Sequence, residues 1–337
     1  MNILITGGAG YIGSHTVKQL IESRDYNITI IDNLSTGIPS TVETLRQIHK
    51  ESKKQGEFDF IEADLKDFQF MEHIFKTKKF DAVIHFAASV VVPESVRDPI
   101  KYYMNNTVNT TNLIKLSLEH GVRKFVFSST AAVYGEPQEV PVKETTPTNP
   151  INPYGWSKLM SERVLIDVGN AHPDFKYVIL RYFNVAGADT KVRIGQSTPN
   201  ATHLIKVASE TAVGKREKMF IFGTDYPTAD GTCIRDYIHV DDLADAHFLA
   251  LDYLDNNPSD LFNCGYGRGY SVKEVIDTMK MVSGVDFKVE IAPRREGDPS
   301  MLIADNSKIK EKMGFKPKFD NLELICKTAL EWEKKAI

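Results

Sequence analysis

Asn2-Ile-Leu-Ile-Thr6, Gly7-Gly8-Ala9-Gly10-Tyr11-Ile12-Gly13 and an amphipathic segment from Tyr11 to about Ser23 follow one another at the start of the chain. A short apolar strand, a glycine-rich turn and a helix in that order predict the βα unit that binds a dinucleotide. The glycines let the backbone turn tightly and approach a pyrophosphate, whose charge the helix N-terminus stabilises. A second strand, Asn27-Ile-Thr-Ile-Ile31, ends at Asp32. A carboxylate at that spacing accepts hydrogen bonds from adenosine ribose hydroxyls and repels a 2′-phosphate, which points to NAD rather than NADP.

Beyond this unit the alternation continues. Strand-like runs near 2–6, 27–32, 57–61, 80–86, 122–129 and 175–182 are separated by helical patterns near 11–23, 40–50, 67–77, 93–119 and 152–170. Such alternation predicts an α/β fold, a Rossmann-like doubly wound parallel sheet. The segment 136–153 holds five prolines (Pro137, Pro141, Pro147, Pro150, Pro153) and is expected to be an irregular loop. After about Asn184 the rhythm loosens into a helix near 202–216 and short strands near 219–223, 235–239, 260–264 and 286–291. This predicts a first domain of 1–184, to which 236–264 returns, and a smaller α+β lobe of 185–235 and 265–337. Ligands of open parallel sheets sit at the carboxyl ends of the strands, so the active site is expected in a cleft between the lobes.

At 337 residues the chain is long enough to bury a large core. A net charge of −4 gives no reason to expect nucleic acid or an anionic membrane as partner. No apolar run reaches the ~18 residues of a membrane helix, and Met1 leads straight into a strand, so no signal or transit peptide is expected. Cys233, Cys264 and Cys326 lack any short Cys-x-x-Cys spacing and suit reduced thiols in the cytoplasm.

Tyr154-Gly-Trp-Ser-Lys158 places a phenol and an ammonium on one side of a helix. A free tyrosine, with a pKa of about 10, is a poor base at neutral pH. Bringing it to neutrality takes roughly 4 kcal/mol of differential interaction, and a lysine beside it favours the phenolate. Upstream, the strand Lys124-Phe-Val-Phe-Ser128-Ser129-Thr130 ends in three hydroxyls at the carboxyl edge of the predicted sheet. Topology thus brings hydroxyl, phenol and ammonium together.

These motifs resemble those of the extended short-chain dehydrogenase/reductases, and more narrowly the UDP-hexose 4-epimerases of the UDP-galactose/UDP-glucose type. The resemblance runs through Gly7 to His15, Asp32-Asn33-Leu34, His85-Phe86-Ala87-Ala88, Ser128 to Gly135 and Pro153-Tyr154 to Lys158. It continues through Leu180 to Asn184, Asp225-Tyr-Pro227, Gly231 to Val240 and Ala292 to Asp298. It implies a tightly held NAD, a UDP-sugar substrate and a homodimer. To the cofactor it assigns Gly7, Gly10, Tyr11, Ile12, Gly13, Asp32, Asn33, Asp64, Leu65, Phe86, Ala87, Asn105, Ser128, Tyr154, Lys158 and Tyr182. In the implied mechanism Tyr154 takes the proton of the sugar 4-hydroxyl while a hydride passes from carbon 4 to NAD, and the 4-keto sugar turns over before the hydride returns. Thr130 would bond the reacting oxygen, and Lys158 would bind the nicotinamide ribose and lower the Tyr154 pKa.

The related 4,6-dehydratases carry an acidic pair just after the corresponding threonine, for the leaving hydroxyl. Here Ala131 and Ala132 stand there, which leaves epimerisation. For the substrate, the resemblance places Asn184, Arg235 and Arg295 near the diphosphate, where two arginines suit its charge and forked geometry. It puts Asp298 near the uridine ribose, Tyr237 near the ligand, and Leu204 with Phe220 to Phe222 beside the uracil. Three positions depart from the family pattern. Val90 stands where many epimerases have a cofactor-touching lysine, and His203 where an asparagine is often found. Leu302 replaces a tyrosine that walls the sugar pocket, leaving room for an N-acetyl group, so UDP-GlcNAc and UDP-GalNAc are expected substrates too.

Ile238-His239-Val-Asp241-Asp242 with His247 has residue types that suit a metal, but the resemblance makes it a strand-to-helix junction, and no metal is expected. Alternatives are an epimerase acting on uronic acids and a non-catalytic NAD-binding protein. Intact Thr130, Tyr154 and Lys158 weigh against the latter. Galactose use and surface-polysaccharide precursors both remain open as the pathway.

Overall fold

The computed structural model describes residues 1–199, 201–295 and 297–335. Glu296, within the expected Ala292 to Asp298 motif, lies outside them, as do Asn200 and the last two positions of the expected second lobe. The chain divides into two compact units.

The first unit comprises 1–133, 150–181 and 244–262. Its frame is a sheet of β1 (Asn2–Thr6), β2 (Asn27–Asp32), β3 (Phe58–Glu62), β4 (Ala82–His85), β5 (Lys124–Thr130) and β6 (Lys176–Tyr182), joined by a later strand, Asp260–Cys264. The order from one edge is β3-β2-β1-β4-β5-β6 and then Asp260–Cys264. The ladders from β3 to β5 are parallel, with Leu4 facing Thr29 on one side and Val83 on the other. This is the doubly wound order in which the chain reverses direction at β1. Ile3, Leu4 and Ile5 are fully buried, as expected of a parallel strand covered on both faces. Leu4, Val83, Phe125, Phe127, Leu165 and Ile179 share one apolar cluster. That cluster packs the middle of the central strands.

The helix expected over 93–119 is interrupted. Val92–Arg97 stops at Asp98, whose side chain accepts from Lys101 N at 3.2 Å and starts Pro99–Tyr102. Proline at the first helical position lacks only an N–H that would have no partner there. Tyr103–Val108 is a π-helical turn, and regular helix resumes at Asn109–Glu119.

The second unit comprises 134–149, 182–243 and 263–337. In it β7 (Asn184–Ala186), β9 (Ile234–His239), β11 (Gly269–Ser271) and β13 (Met301–Leu302) form one sheet, while β8 (Lys218–Phe222) pairs in parallel with β12 (Lys288–Ala292); the strand Asp260–Cys264 is β10. The helices Leu204–Ala212, Val272–Ser283 and Leu322–Lys335 pack on one another. A capping box starts the middle one: Ser271 Oγ accepts from Glu274 N at 3.0 Å, and Ser271 N donates to Glu274 Oε2 at 2.7 Å.

The boundaries differ from those read off the sequence. Residues 134–149 belong to the second unit, because Val142 bridges to Ala304 and takes N–H from Asp305 at 2.7 Å, and Glu144 accepts from Asn263 N. The chain rejoins the first unit at Ala244 rather than 236, since β9 pairs with β7, β11 and β13.

Candidate functional site

Gly7 begins the turn with φ +74°, and a Cβ there would lie 2.6 Å from Ala87 N. At Gly13 a Cβ would lie 2.2 Å from Gly7 O, inside the turn itself. These positions accept only glycine because two backbone segments touch. Gly10 precedes the helix Tyr11–Ser23, which carries no side-chain cap. Asp32, buried at the end of β2, accepts from Ala9 N at 3.0 Å and Leu34 N at 2.9 Å, one on each oxygen. Its carboxylate is thereby fixed against the glycine turn, with lone pairs left over for hydroxyl donors. Desolvation pushes its pKa up, against those backbone donors.

The remaining residues expected at the cofactor have these surroundings. Asn33 Nδ2 donates to Asp64 Oδ2 at 2.9 Å, and Leu65 joins the core cluster. Phe86 N and Ala87 N both donate to Thr6 O, which holds them against β1. Asn105 Nδ2 donates to Ser89 Oγ at 3.1 Å. Tyr11 packs edge-on to His15, and Ile12 is half-buried beside it. Tyr182 is buried in the second unit, and Val90 is exposed. A turn that a Cβ would fill, with an acidic acceptor oriented beside it, fits a dinucleotide pyrophosphate and ribose.

Tyr154 and Lys158 lie one turn apart on the helix Pro153–Ala171, whose N-cap Asn152 accepts from Gly155 N at 2.9 Å. A Cβ on Gly155 would lie 2.8 Å from Ala132 O, so the first helical turn sits directly on the end of β5. The Thr130 hydroxyl is near enough to the Tyr154 phenol to pull its pKa downward, and Thr130 Oγ1 accepts from Ala132 N at 3.1 Å. Lys158 Nζ donates to Ser128 O at 2.8 Å and lies 5.0 Å above the Phe127 ring. The three expected groups are therefore together.

Their protonation differs from the expectation that Lys158 lowers Tyr154. Burial pushes the Tyr154 phenol up, with only the Thr130 bond acting downward. Lys158 is itself pushed down to about 7 by desolvation, which the Glu162 charge opposes. The ammonium spends its hydrogen bond on a carbonyl, and desolvation dominates its own protonation.

Sequence reasoning missed the supports behind these groups. Glu162, one turn past Lys158, takes both ends of the Arg181 fork, at 3.0 and 2.6 Å, and the Ser129 hydroxyl. Asn106, in the π-helical turn, binds Ser89 N and O and reaches Ser157 Oγ at 3.0 Å. The available signal for Glu162 was an acid at helical spacing from Tyr154 and Lys158; for Asn106 there was none.

In the second unit the expected substrate residues fall into two groups. Asn184, His203, Leu204 and Tyr237 line one pocket at the start of the helix Leu204–Ala212. Desolvation of the ring lowers the His203 pKa although the residue reaches the surface, and its Nδ1 pairs with Gln196 Nε2 at 2.9 Å. Elsewhere Arg235 is ion-paired to Asp298, so the carboxylate expected at the ribose is engaged by the arginine. Arg295 lies 3.7 Å over the Phe222 ring, with Phe220 beside it. Leu302 is paired in register with Arg235 and buried. The His239 to Asp242 segment is used structurally: Asp242 accepts from Tyr266 Oη, Lys318 N and Phe319 N, and His239 Nδ1 accepts from Asp241 N.

A doubly wound sheet with a glycine turn, an acidic strand end, and threonine, tyrosine and lysine at the next switch defines a nucleotide-dependent enzyme of the short-chain dehydrogenase/reductase class. The chain belongs to the NAD dependent epimerase/dehydratase family, whose model matches residues 3–265. It is 50% identical to the UDP-glucose 4-epimerase of Azospirillum brasilense, over 98% of this chain and 92% of that protein. Among solved structures it resembles the UDP-Glc/GlcNAc 4-epimerase from Campylobacter jejuni, at 60% identity and TM-score 0.86 over 99% of each chain. It also resembles the UDP-glucose 4-epimerase from Bifidobacterium longum in complex with NAD+ and UDP, at 38% identity and TM-score 0.94 over 99% of this chain and 98% of that one.

Proposed function

We propose that this protein interconverts UDP-hexoses at carbon 4, acting on UDP-glucose/UDP-galactose and on UDP-GlcNAc/UDP-GalNAc. The observation that carries this reading is the seating of the helix that bears Tyr154 and buried Lys158 on the end of the strand that bears Thr130, with Lys158 bonded to Ser128 O and with Ala131 and Ala132 in place of an acid pair. NAD, when bound, supplies a reversible hydride acceptor. Tyr154 takes and later returns the proton of the 4-hydroxyl, Thr130 holds the reacting oxygen, and Lys158, one helical turn away, binds the nicotinamide ribose. Gly7, Gly10, Gly13 and Asp32 would hold the pyrophosphate and ribose of the cofactor. Arg235 and Arg295 supply charge for the diphosphate, and Phe220 and Phe222 an aromatic face for the base.

Leu302 supports the wider substrate range, since it is smaller than tyrosine and has no hydroxyl to place. The 60% identity to a protein described as acting on both UDP-Glc and UDP-GlcNAc supports it as well. Turnover measured across the four UDP-sugars tests the reading. All four are expected to react, and Leu302→Tyr is expected to abolish the N-acetyl pair alone. No turnover of UDP-GlcNAc, or its full retention by Leu302→Tyr, overturns the pocket argument.

The protein works as a homodimer in the cytoplasm. Three free, buried cysteines fit a reducing compartment. No helix among the described residues is long and apolar enough to cross a membrane. For the dimer, Val96, Ile100 and Met104 are exposed near Trp156 and Met160 on packed helices, an apolar face of the kind a second copy covers.

A further inference from the structure

Glu162 is almost wholly buried, as is Arg181, and no step of the proposed chemistry uses either. The carboxylate accepts three hydrogen bonds, two from the Arg181 fork and one from Ser129 Oγ. Ser129 is the middle residue of the strand end: Ser128 before it gives its carbonyl to Lys158, and Thr130 after it acts on the Tyr154 phenol. Ser128 and Thr130 face one side of β5 and Ser129 the other. A single side chain on the catalytic helix thus grips the opposite face of the segment that orders the reacting groups. Lys158 has only a neutral carbonyl and a ring in direct contact by these bonds, and Glu162 is the anion one turn away.

We propose that Glu162 is a positioning residue for the epimerase reaction: it fixes Ser128–Thr130 against the helix bearing Tyr154 and Lys158 and supplies the lysine's counter-charge. The inference rests on the function proposed above. The charged and titratable groups around the pair come from several elements. Arg181 approaches from β6, and His85 from β4, where burial pushes it down to about 3 and leaves it neutral. Tyr154 shares the helix, and Tyr102 packs edge-on to it from Pro99–Tyr102, bonded to Glu94, which also pairs with Lys101. Glu162 is the anion that acts on Lys158, upward against desolvation. Without it the ammonium gives up its proton at lower pH.

The test uses the full-length protein with its cofactor, in wild-type, Tyr154→Phe, Glu162→Gln, Glu162→Asp and Ser129→Ala forms. Turnover is followed from acid to alkaline pH, together with KM, bound NAD and the unfolding midpoint. Glu162→Gln is expected to lower kcat about tenfold with KM little changed, and to move the alkaline limb of the kcat profile down by about one pH unit. Glu162→Asp keeps the charge and should keep the limb in place. Ser129→Ala, which removes only the strand-side donor, should lower kcat about fivefold without moving the limb.

A merely structural ion pair would lower the unfolding midpoint and leave the limb of Glu162→Gln where it is in wild type; that outcome overturns the counter-charge. A Glu162→Asp limb displaced from its wild-type position overturns it too, and an unchanged kcat in Ser129→Ala overturns the grip on the strand. Should Glu162→Gln not fold, Glu162→Asp and Ser129→Ala decide the matter by the same readings. Wild-type protein silent on every UDP-sugar would bring down the function itself. An active wild type with a silent Tyr154→Phe and an unmoved Glu162→Gln limb sinks this inference alone.

Discussion

Tyr154 has the least favourable environment for its proposed task. Burial raises its pKa, and the one group acting downward is the Thr130 hydroxyl. Full activity at neutral pH then requires that binding of cofactor and substrate add positive charge or hydrogen bonds at the phenol. Tyr154→Phe is expected to lower kcat by at least about 100-fold while NAD remains bound, measured by turnover and by cofactor released on denaturation. Retained activity would disprove its role as the base. The sequence brought Thr130, Tyr154 and Lys158 to one neighbourhood because helical spacing and a strand end place them. It could not show that Lys158 turns to Ser128 O, or that Glu162 and Arg181 stand behind it. Those outcomes depend on which groups are dehydrated together, and that is set by packing between stretches far apart in the chain.

Elements were legible where their pattern repeats. β1 to β6 and the first three helices fall within a few residues of the apolar periodicity, because strands buried on both faces are continuous apolar runs. The break in 92–119 was less so: Pro99 is a visible stop, but an added residue in a helix leaves no compositional mark, and Tyr103–Val108 reads as ordinary helix. β9 was foreseen as a strand, but its partners were not. Its hold on the second unit runs through Asp236, which is buried and accepts from Tyr266 N, Gly267 N and Ala304 N. Desolvation pushes this carboxyl up to about 6. Between about pH 4, where it would titrate in the unfolded chain, and pH 6 the folded protein holds a proton that the unfolded chain has lost. Its contribution to stability therefore falls as pH rises across that window. Asp236→Asn should flatten this part of the stability–pH curve in denaturant titrations, and an unchanged slope would show that the group titrates normally.

Association belongs to the molecule's surface. Ile100 and Met104 stand on one exposed face, and Trp156 and Met160 on the packed neighbouring helix. Ile100→Asp combined with Met160→Asp should convert a dimer to a monomer in sedimentation experiments, leaving the Tyr154 helix folded by circular dichroism. A double variant that stays dimeric places the interface elsewhere. The rhythm of strands and helices suggested a return of 236–264 to the first domain, whereas the compact first unit takes 244–262. The sequence did not reveal that 134–149 belongs to the second unit, since a proline-rich loop is assigned by its partners, here Ala304 and Asp305. The late strand has a consequence for how the protein is made. The sheet that frames the nucleotide site is six strands wide when Tyr182 leaves the ribosome, and its edge at β6 stays open until Asp260–Cys264 arrives. Through that interval an unpaired strand edge is exposed to neighbouring chains. A chain cut short before Asp260 is therefore expected to self-associate through the open β6 edge.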